Sequence, residues 1–237
     1  MLFDATGTLI ELREPVGETY ARIAHRHGVS LPAWRLEDGF RRILGGKAAR
    51  VFPAATPAEV PERERAWWQE VVRDSFRASD QTLRFDDFES FFDELFQHYA
   101  SRSAWQLRAG AREALAALSA QGTRLGIVSD FDYRLTELLE SLGIASFFET
   151  VILAGSLAVT KPDPRLFRAA LEALEAPASH CVYVGDDPER DLAGALQAGL
   201  RAIDVRSLTT LADLPAHLAT LAAPDSTDTS RDHTENR

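Results

Sequence analysis

Met1-Leu2-Phe3-Asp4-Ala5-Thr6-Gly7-Thr8-Leu9 is the stretch whose reading decides the fold. A short apolar run ends in an aspartate, and a turn containing glycine between two threonines follows at once. A strand ending there presents Asp4 at the carboxyl edge of a sheet, and Gly7 lets the backbone turn sharply. Main-chain N–H groups of such a turn can gather around an anion, and the threonine hydroxyls can add to them. A carboxylate beside an anion site calls for a cation or a covalent reaction to reconcile the two. Taken alone, Asp4 followed by Thr6-Gly7-Thr8 reads equally well as an Asx-type turn after a strand. The apolar run before Asp4 is short for a central strand, so a start slightly upstream is expected.

Outward from this stretch the chain divides by pattern. After Leu9 the sequence is helical for a long way. Residues 15–27 read as one helix closed by Gly28, and Leu36, Phe40, Ile43 and Leu44 form a second apolar stripe ending at Gly45-Gly46. A helix carrying Trp67, Trp68, Val71, Val72 and Phe76 follows a Pro- and Ala-rich connection. Phe88, Phe91, Phe92, Leu95, Phe96 and Tyr99 then share one helix face, as subdomain core or as a dimer surface, so monomer and homodimer both stay open. No strand is expected between Leu12 and Ala104. From Trp105 strands (124–129, 150–154, 181–185, 201–205) alternate with helices (111–121, 133–143, 164–175, 188–198), and a closing helix is expected over 209–221. That alternation implies βαβ units, hence an α/β fold with a Rossmann-like parallel sheet. The expected division is an α/β core over 1–11 and 105–223, an inserted helical subdomain over 12–104, and a disordered tail over 224–237.

The net charge of −10, from 26 basic and 36 acidic residues, argues against a nucleic-acid or anionic-membrane surface. The single cysteine, Cys181, excludes an internal disulfide framework, fits a reducing compartment, and falls in a strand expected to be buried. No leader-like segment opens the sequence and no apolar run is long enough to span a bilayer, so the cytoplasm is the expected location.

In a parallel sheet, ligands bind outside the carboxyl ends of the strands, which singles out Asp4, Ser129-Asp130, the Lys161 loop and Asp186-Asp187. Adjacent carboxylates at Asp186-Asp187 repel each other unless a hard cation such as Mg²⁺ takes one of them. Pro188 suits the first helical position, which makes Asp187 a natural N-cap and Asp186 the better ligand. Lys161-Pro162-Asp163-Pro164 reads as a loop into a helix with Asp163 as N-cap. A lysine near that helix N-terminus is unfavourable unless an anion, phosphate or Asp4 itself, lies close; the alternative is a solvated surface lysine. Asp191 can orient Lys161 or the metal shell, or simply favour its helix N-terminus. Ser129 can bond an anion or end its strand as a turn residue, and Asp132 is expected to cap the following helix. Arg41, Arg42, Lys47 and Arg50 could meet an anionic substrate, although a solvated basic helix face fits the same pattern.

Together these motifs, Phe3-Asp4-Ala5-Thr6-Gly7-Thr8-Leu9, Val128-Ser129-Asp130-Phe131-Asp132, Lys161-Pro162-Asp163-Pro164 and Gly185-Asp186-Asp187 to Asp191, resemble the haloacid dehalogenase-like (HAD-like) hydrolase superfamily. The branch it resembles has a helical cap inserted after the first strand. The resemblance implies an aspartyl-phosphate on Asp4, Mg²⁺ held by Asp4, the Thr6 carbonyl and Asp186, with Asp187 nearby, and phosphoryl oxygens held by Ser129, Asp130 and Lys161. It implies a small phosphorylated metabolite as substrate. The sequence departs from the pattern at two positions. Phosphatases of the superfamily usually carry an acid–base aspartate where Thr6 stands, and loss of such a group slows a reaction by about 10²–10⁴-fold. Relatives often have asparagine where Asp130 stands, and a carboxylate facing phosphate would repel it. Alternatives are a catalytically weak phosphate-ligand binding or interaction protein and, last, a 2-haloacid dehalogenase.

Overall fold

Two residues, Leu2–Phe3 (β1), form the central strand, because each hydrogen-bonding edge is taken by a longer neighbour. The computed structural model describes residues 1–222, so the tail expected over 224–237 lies outside the described residues. After β1 come β2 (Ile10–Leu12) and four helices: α1 (Val16–Arg26), α2 (Ala33–Gly46), α3 (Val60–Ser79) and α4 (Phe88–Tyr99). The chain continues with β3 (Trp105–Leu107), α5 (Ala111–Ala120), β4 (Gly126–Ser129), α6 (Leu135–Ser141), β5 (Thr150–Leu153) and α7 (Ala154–Leu157). It closes with α8 (Pro164–Ala173), β6 (Val182–Gly185), α9 (Ala193–Gln197), β7 (Arg201–Asp204) and α10 (Leu214–Ala222). Residues 188–192 form a wider π-helical turn leading into α9.

The main sheet is parallel, in the order β5-β4-β1-β6-β7, so the chain reverses its winding direction at β1. This reversal is the switch point where α/β sheets bind ligands. Strand periodicity sorts the side chains between two helical layers. Phe3, Ile127 and Val184 face one core with α5 and α6, while Leu2, Val128 and Tyr183 face the other with α8 and α9.

Sequence patterning missed β2 and β3, which pair antiparallel with Ile10 opposite Leu107 and Leu12 opposite Trp105. Three-residue strands are too short to establish a period of two. They bring the two ends of the helical insertion together. The insertion has its own core: Tyr20 stacks on Phe76 with centroids 5.8 Å apart, and Phe91, Phe92, Leu95 and Phe96 are buried with them. The aromatic stripe of α4 is therefore interior.

Asp132 does not act mainly as a helix cap. Its carboxylate holds Arg134 through contacts of 2.8 and 2.6 Å and accepts the Trp68 indole N–H of α3 at 2.7 Å. Arg134 also donates to the Phe96 carbonyl of α4 at 3.0 Å, so this buried pair ties the insertion to the loop after β4. Burial alone would raise the Asp132 carboxyl, but the Arg134 bonds and charge outweigh it and the net shift is downward. Asp132→Ala would leave Arg134 buried without its partner and should destabilise the protein by about 3 kcal/mol in urea denaturation at neutral pH. With its folded value depressed, the carboxylate's contribution is complete above about pH 4 and fades as pH falls through that lower value. The wild-type advantage should shrink correspondingly in acid; an equal difference at all pH would contradict the assignment.

Candidate active site

Asp4 emerges at the end of β1 with its N–H bonded to the Val184 carbonyl of β6 at 2.9 Å, and its carboxylate is buried. The Lys161 ammonium reaches it from the loop before α8, 2.6 Å from Asp4 Oδ1 and 2.5 Å from Asp191 Oδ1. Lys161 is thus a buried, doubly paired cation rather than a solvated one. Tyr183 lies beneath it in β6, its hydroxyl 3.3 Å from Lys161 Nζ, 3.0 Å from the Val128 carbonyl and 3.1 Å from Asp191 Oδ1. The other Asp191 oxygen accepts the Asp186 and Asp187 amides, each at 3.1 Å, so Asp191 positions both Lys161 and the loop after β6.

The sequence reading keeps Asp187 beside Asp186 in the metal set while favouring it as an N-cap, and the structure gives it the cap alone. Asp187 caps the π-helical turn, accepting the Glu189 and Arg190 amides at 2.9 and 3.0 Å, and those N–H groups lower its pKa. Asp187 therefore stands outside the carboxylate cluster, where Asp191 takes its place: Asp4, Asp186 and Asp191 each bring an oxygen within 4.8 Å of the others. Gly7, at φ 82°, gives Asp186 its room, since a Cβ there would run into the Asp186 carboxylate. Burial raises Asp186, and the Asp191 charge adds to this. Burial likewise pushes Asp4 up to about 6, against the Lys161 charge, which lowers it. Burial opposes the charge on Lys161, yet the charges of Asp4, Asp191 and Asp130 outweigh it and hold the ammonium protonated.

Three carboxylates share one ammonium, and the half-buried Asp186 carboxylate has no hydrogen-bond donor among the described residues. Hard oxygen donors with surplus negative charge fit a divalent cation such as Mg²⁺. Asp4 and Asp186 are the two with oxygens to give, because Asp191 is already committed to Lys161 and two amides. Thr6 sits exposed at the mouth of the same cavity.

Ser129 ends β4 buried, and its Oγ accepts the Phe131 N–H at 3.1 Å, which leaves its own proton for another acceptor. Asp130 does not confront that position unpaired. Its carboxylate accepts the Lys161 amide at 3.0 Å and an Arg190 guanidinium N–H. Sequence reading missed Arg190 and Tyr183; a hydroxyl inside the otherwise apolar run of β6 was the one available signal for Tyr183. Of Arg41, Arg42, Lys47 and Arg50, Lys47 and Arg50 line the cavity. Arg41 bonds Glu37 on the exposed face of α2, and Arg42 bonds the Ala78 carbonyl. The cavity is about 730 Å³ and runs from the carboxylate cluster into the helical insertion.

Residues 1–199 match the family described as haloacid dehalogenase-like hydrolase. The chain belongs to this family and is a hydrolase of it. It is 34% identical over 200 residues to haloacid dehalogenase-like hydrolase domain-containing protein 3 of Xenopus laevis, covering 84% of this chain and 81% of that one. A phosphoserine phosphatase of Thermus thermophilus is 33% identical over 144 residues, 60% of this chain and 54% of that protein. Among solved structures, a 2-haloacid dehalogenase from Pseudomonas syringae superposes with a TM-score of 0.63 at 25% identity, covering 93% of this chain and 98% of that one.

Removal of the Tyr183 hydroxyl takes away a buried hydrogen bond, while removal of Asp191 strands Lys161 and two amides. Tyr183→Phe should therefore cost about 1 kcal/mol and Asp191→Ala about 3 kcal/mol or more in urea denaturation. The reverse order would show that Asp191 does not organise the site.

Proposed function

We propose that the protein is a Mg²⁺-assisted phosphomonoester hydrolase that works through phosphoryl transfer to Asp4. The observation that carries this reading is the buried Asp4 carboxylate gripped on one oxygen by Lys161 and faced by the unpartnered Asp186. A phosphoryl group arriving there meets an ammonium, the Ser129 hydroxyl and a fixed carboxylate oxygen in line to attack. Bound Mg²⁺ would be held by Asp4, Asp186 and the Thr6 carbonyl, and would supply charge neutralisation between carboxylate and phosphate. Lys161 and Ser129 hold the equatorial oxygens. Asp191 and Tyr183 keep Lys161 in place, and Asp130 anchors the Lys161 loop while Arg190 balances its charge. The helical insertion over 12–104 acts as the cap that encloses the leaving group. One buried free thiol, Cys181, suits a cytoplasmic setting.

Thr6 has no group to protonate the leaving group or to deprotonate water, so turnover is slow. A second reading, favoured by Thr6, is a phosphate-ligand binding protein with negligible turnover. Dehalogenase chemistry, suggested by the Pseudomonas syringae neighbour, leaves the Asp186 carboxylate without a purpose.

Phosphate release from acetyl phosphate in the presence of MgCl₂ should be measurable, and both EDTA and Asp4→Asn should abolish it. Thr6→Asp should raise the rate by about 10²-fold. Release that survives Asp4→Asn would sink the proposal, ligand-induced thermal stabilisation without release would favour the binding protein, and metal-independent halide release from a 2-haloacid would favour the dehalogenase.

A further inference from the structure

Beyond the carboxylate cluster the cavity wall is mostly apolar, formed in part by Trp68, Val72, Phe92 and Leu95 of the helical insertion, with Tyr20, Tyr99 and a few cations among them. The cations that line it are already matched. Arg50 pairs with buried Glu64 at 3.4 Å, Arg134 with Asp132 at 2.6 Å and Lys47 with Glu70 at 2.8 Å. Arg190 pairs with Asp130, and Lys161 with Asp4 and Asp191. A leaving group bearing a carboxylate or second phosphate would find no spare cation there. A polyhydroxylated one would lose most of its water against aromatic and aliphatic walls, where the Tyr99 hydroxyl, unpartnered among the described residues, can replace only a fraction of those hydrogen bonds.

Thr6 adds an independent chemical restriction. Without a positioned acid the leaving oxygen must depart as an anion. A phenol, ionising near pH 10 as tyrosine does, tolerates this, whereas an aliphatic alcohol, about as weak an acid as water, does not.

We propose that the cavity is built for aryl phosphates, apolar phosphomonoesters whose leaving group is a phenolate. This rests on the phosphohydrolase reading above. In the first step an Asp4 oxygen bonds to phosphorus as the phosphorus–aryl oxygen bond breaks, and the electron pair leaves on the phenolate, which takes its proton from solvent. In the second, water attacks phosphorus and the Asp4–phosphorus bond breaks. Inorganic phosphate leaves with the water's oxygen and protons, and the Asp4 carboxylate is restored.

The test uses the full chain with MgCl₂ and compares kcat/KM for 1-naphthyl phosphate, cyclohexylmethyl phosphate and 2-phosphoglycolate, with acetyl phosphate as the small reference. Naphthyl phosphate should exceed cyclohexylmethyl phosphate by about 10²-fold or more, and Thr6→Asp should narrow that gap by rescuing the alkyl ester. Because aryl esters are intrinsically reactive, binding is read separately, as inhibition of acetyl phosphate hydrolysis. 1-Naphthylmethylphosphonate should inhibit at least about tenfold more tightly than methylphosphonate, from the apolar surface it buries. Equal inhibition by the two phosphonates, or 2-phosphoglycolate matching naphthyl phosphate, would overturn the inference while acetyl phosphate turnover left the phosphohydrolase reading standing. Loss of Asp4-dependent acetyl phosphate turnover itself would overturn both.

Discussion

One buried ammonium holds together the carboxylates at the centre of this molecule. Lys161 bridges Asp4 from β1 and Asp191 from the turn after β6. A buried ion pair is stable only if both partners are well hydrogen-bonded and neither is left alone. Here the Asp191 carboxylate is completed by two loop amides and the Tyr183 hydroxyl, so the ends of β1 and β6 are fixed relative to each other. Charge is still unbalanced, because Asp186 faces the same space without a counter-ion. The fold therefore leaves a surplus of negative charge there that a divalent cation would offset, as the proposed function requires.

The second constraint lies between the sheet and the helical insertion. The segment from Ser129 at the end of β4 to Tyr133 is gripped from the insertion at several points. Arg50 donates to the Asp130 carbonyl at 2.5 Å, and Trp68 donates to Asp132. Glu64 of α3 accepts the Tyr133 amide at 3.0 Å, a third grip on the same loop. A movement of the insertion would be felt at Ser129, where a phosphoryl oxygen would sit.

Much of this was legible in the sequence, and the misses share a cause. The strand ends announced themselves because each apolar run stops at a polar residue, and the parallel sheet followed from the alternation of strands and helices. Pro188 already marked Asp187 as an N-cap, and the structure bears that out; what adjacency could not show is that Asp191, four positions further on, takes the place beside Asp186. The expected repulsion at Asp130 disappears because Arg190, sixty positions on, comes back to neutralise it. In the sequence Asp132 looks like a local cap, whereas its partners include an indole from a helix far earlier in the chain. Local chemistry was readable, as were Asp4 and Asp191 as candidate partners of Lys161; the distant partners of Asp130 and Asp132 were not.

The proposed chemistry requires that Asp4 become covalently phosphorylated. Thr6 should slow the hydrolysis of that intermediate more than its formation, since attack by water needs the missing base. Acid quenching of the protein during turnover of acetyl phosphate with MgCl₂, followed by mass spectrometry of its peptides, reads this directly. A phosphoryl adduct should accumulate on the peptide carrying Asp4 and decay faster in Thr6→Asp. Steady release of phosphate with no adduct on that peptide, or an adduct elsewhere, would contradict the account.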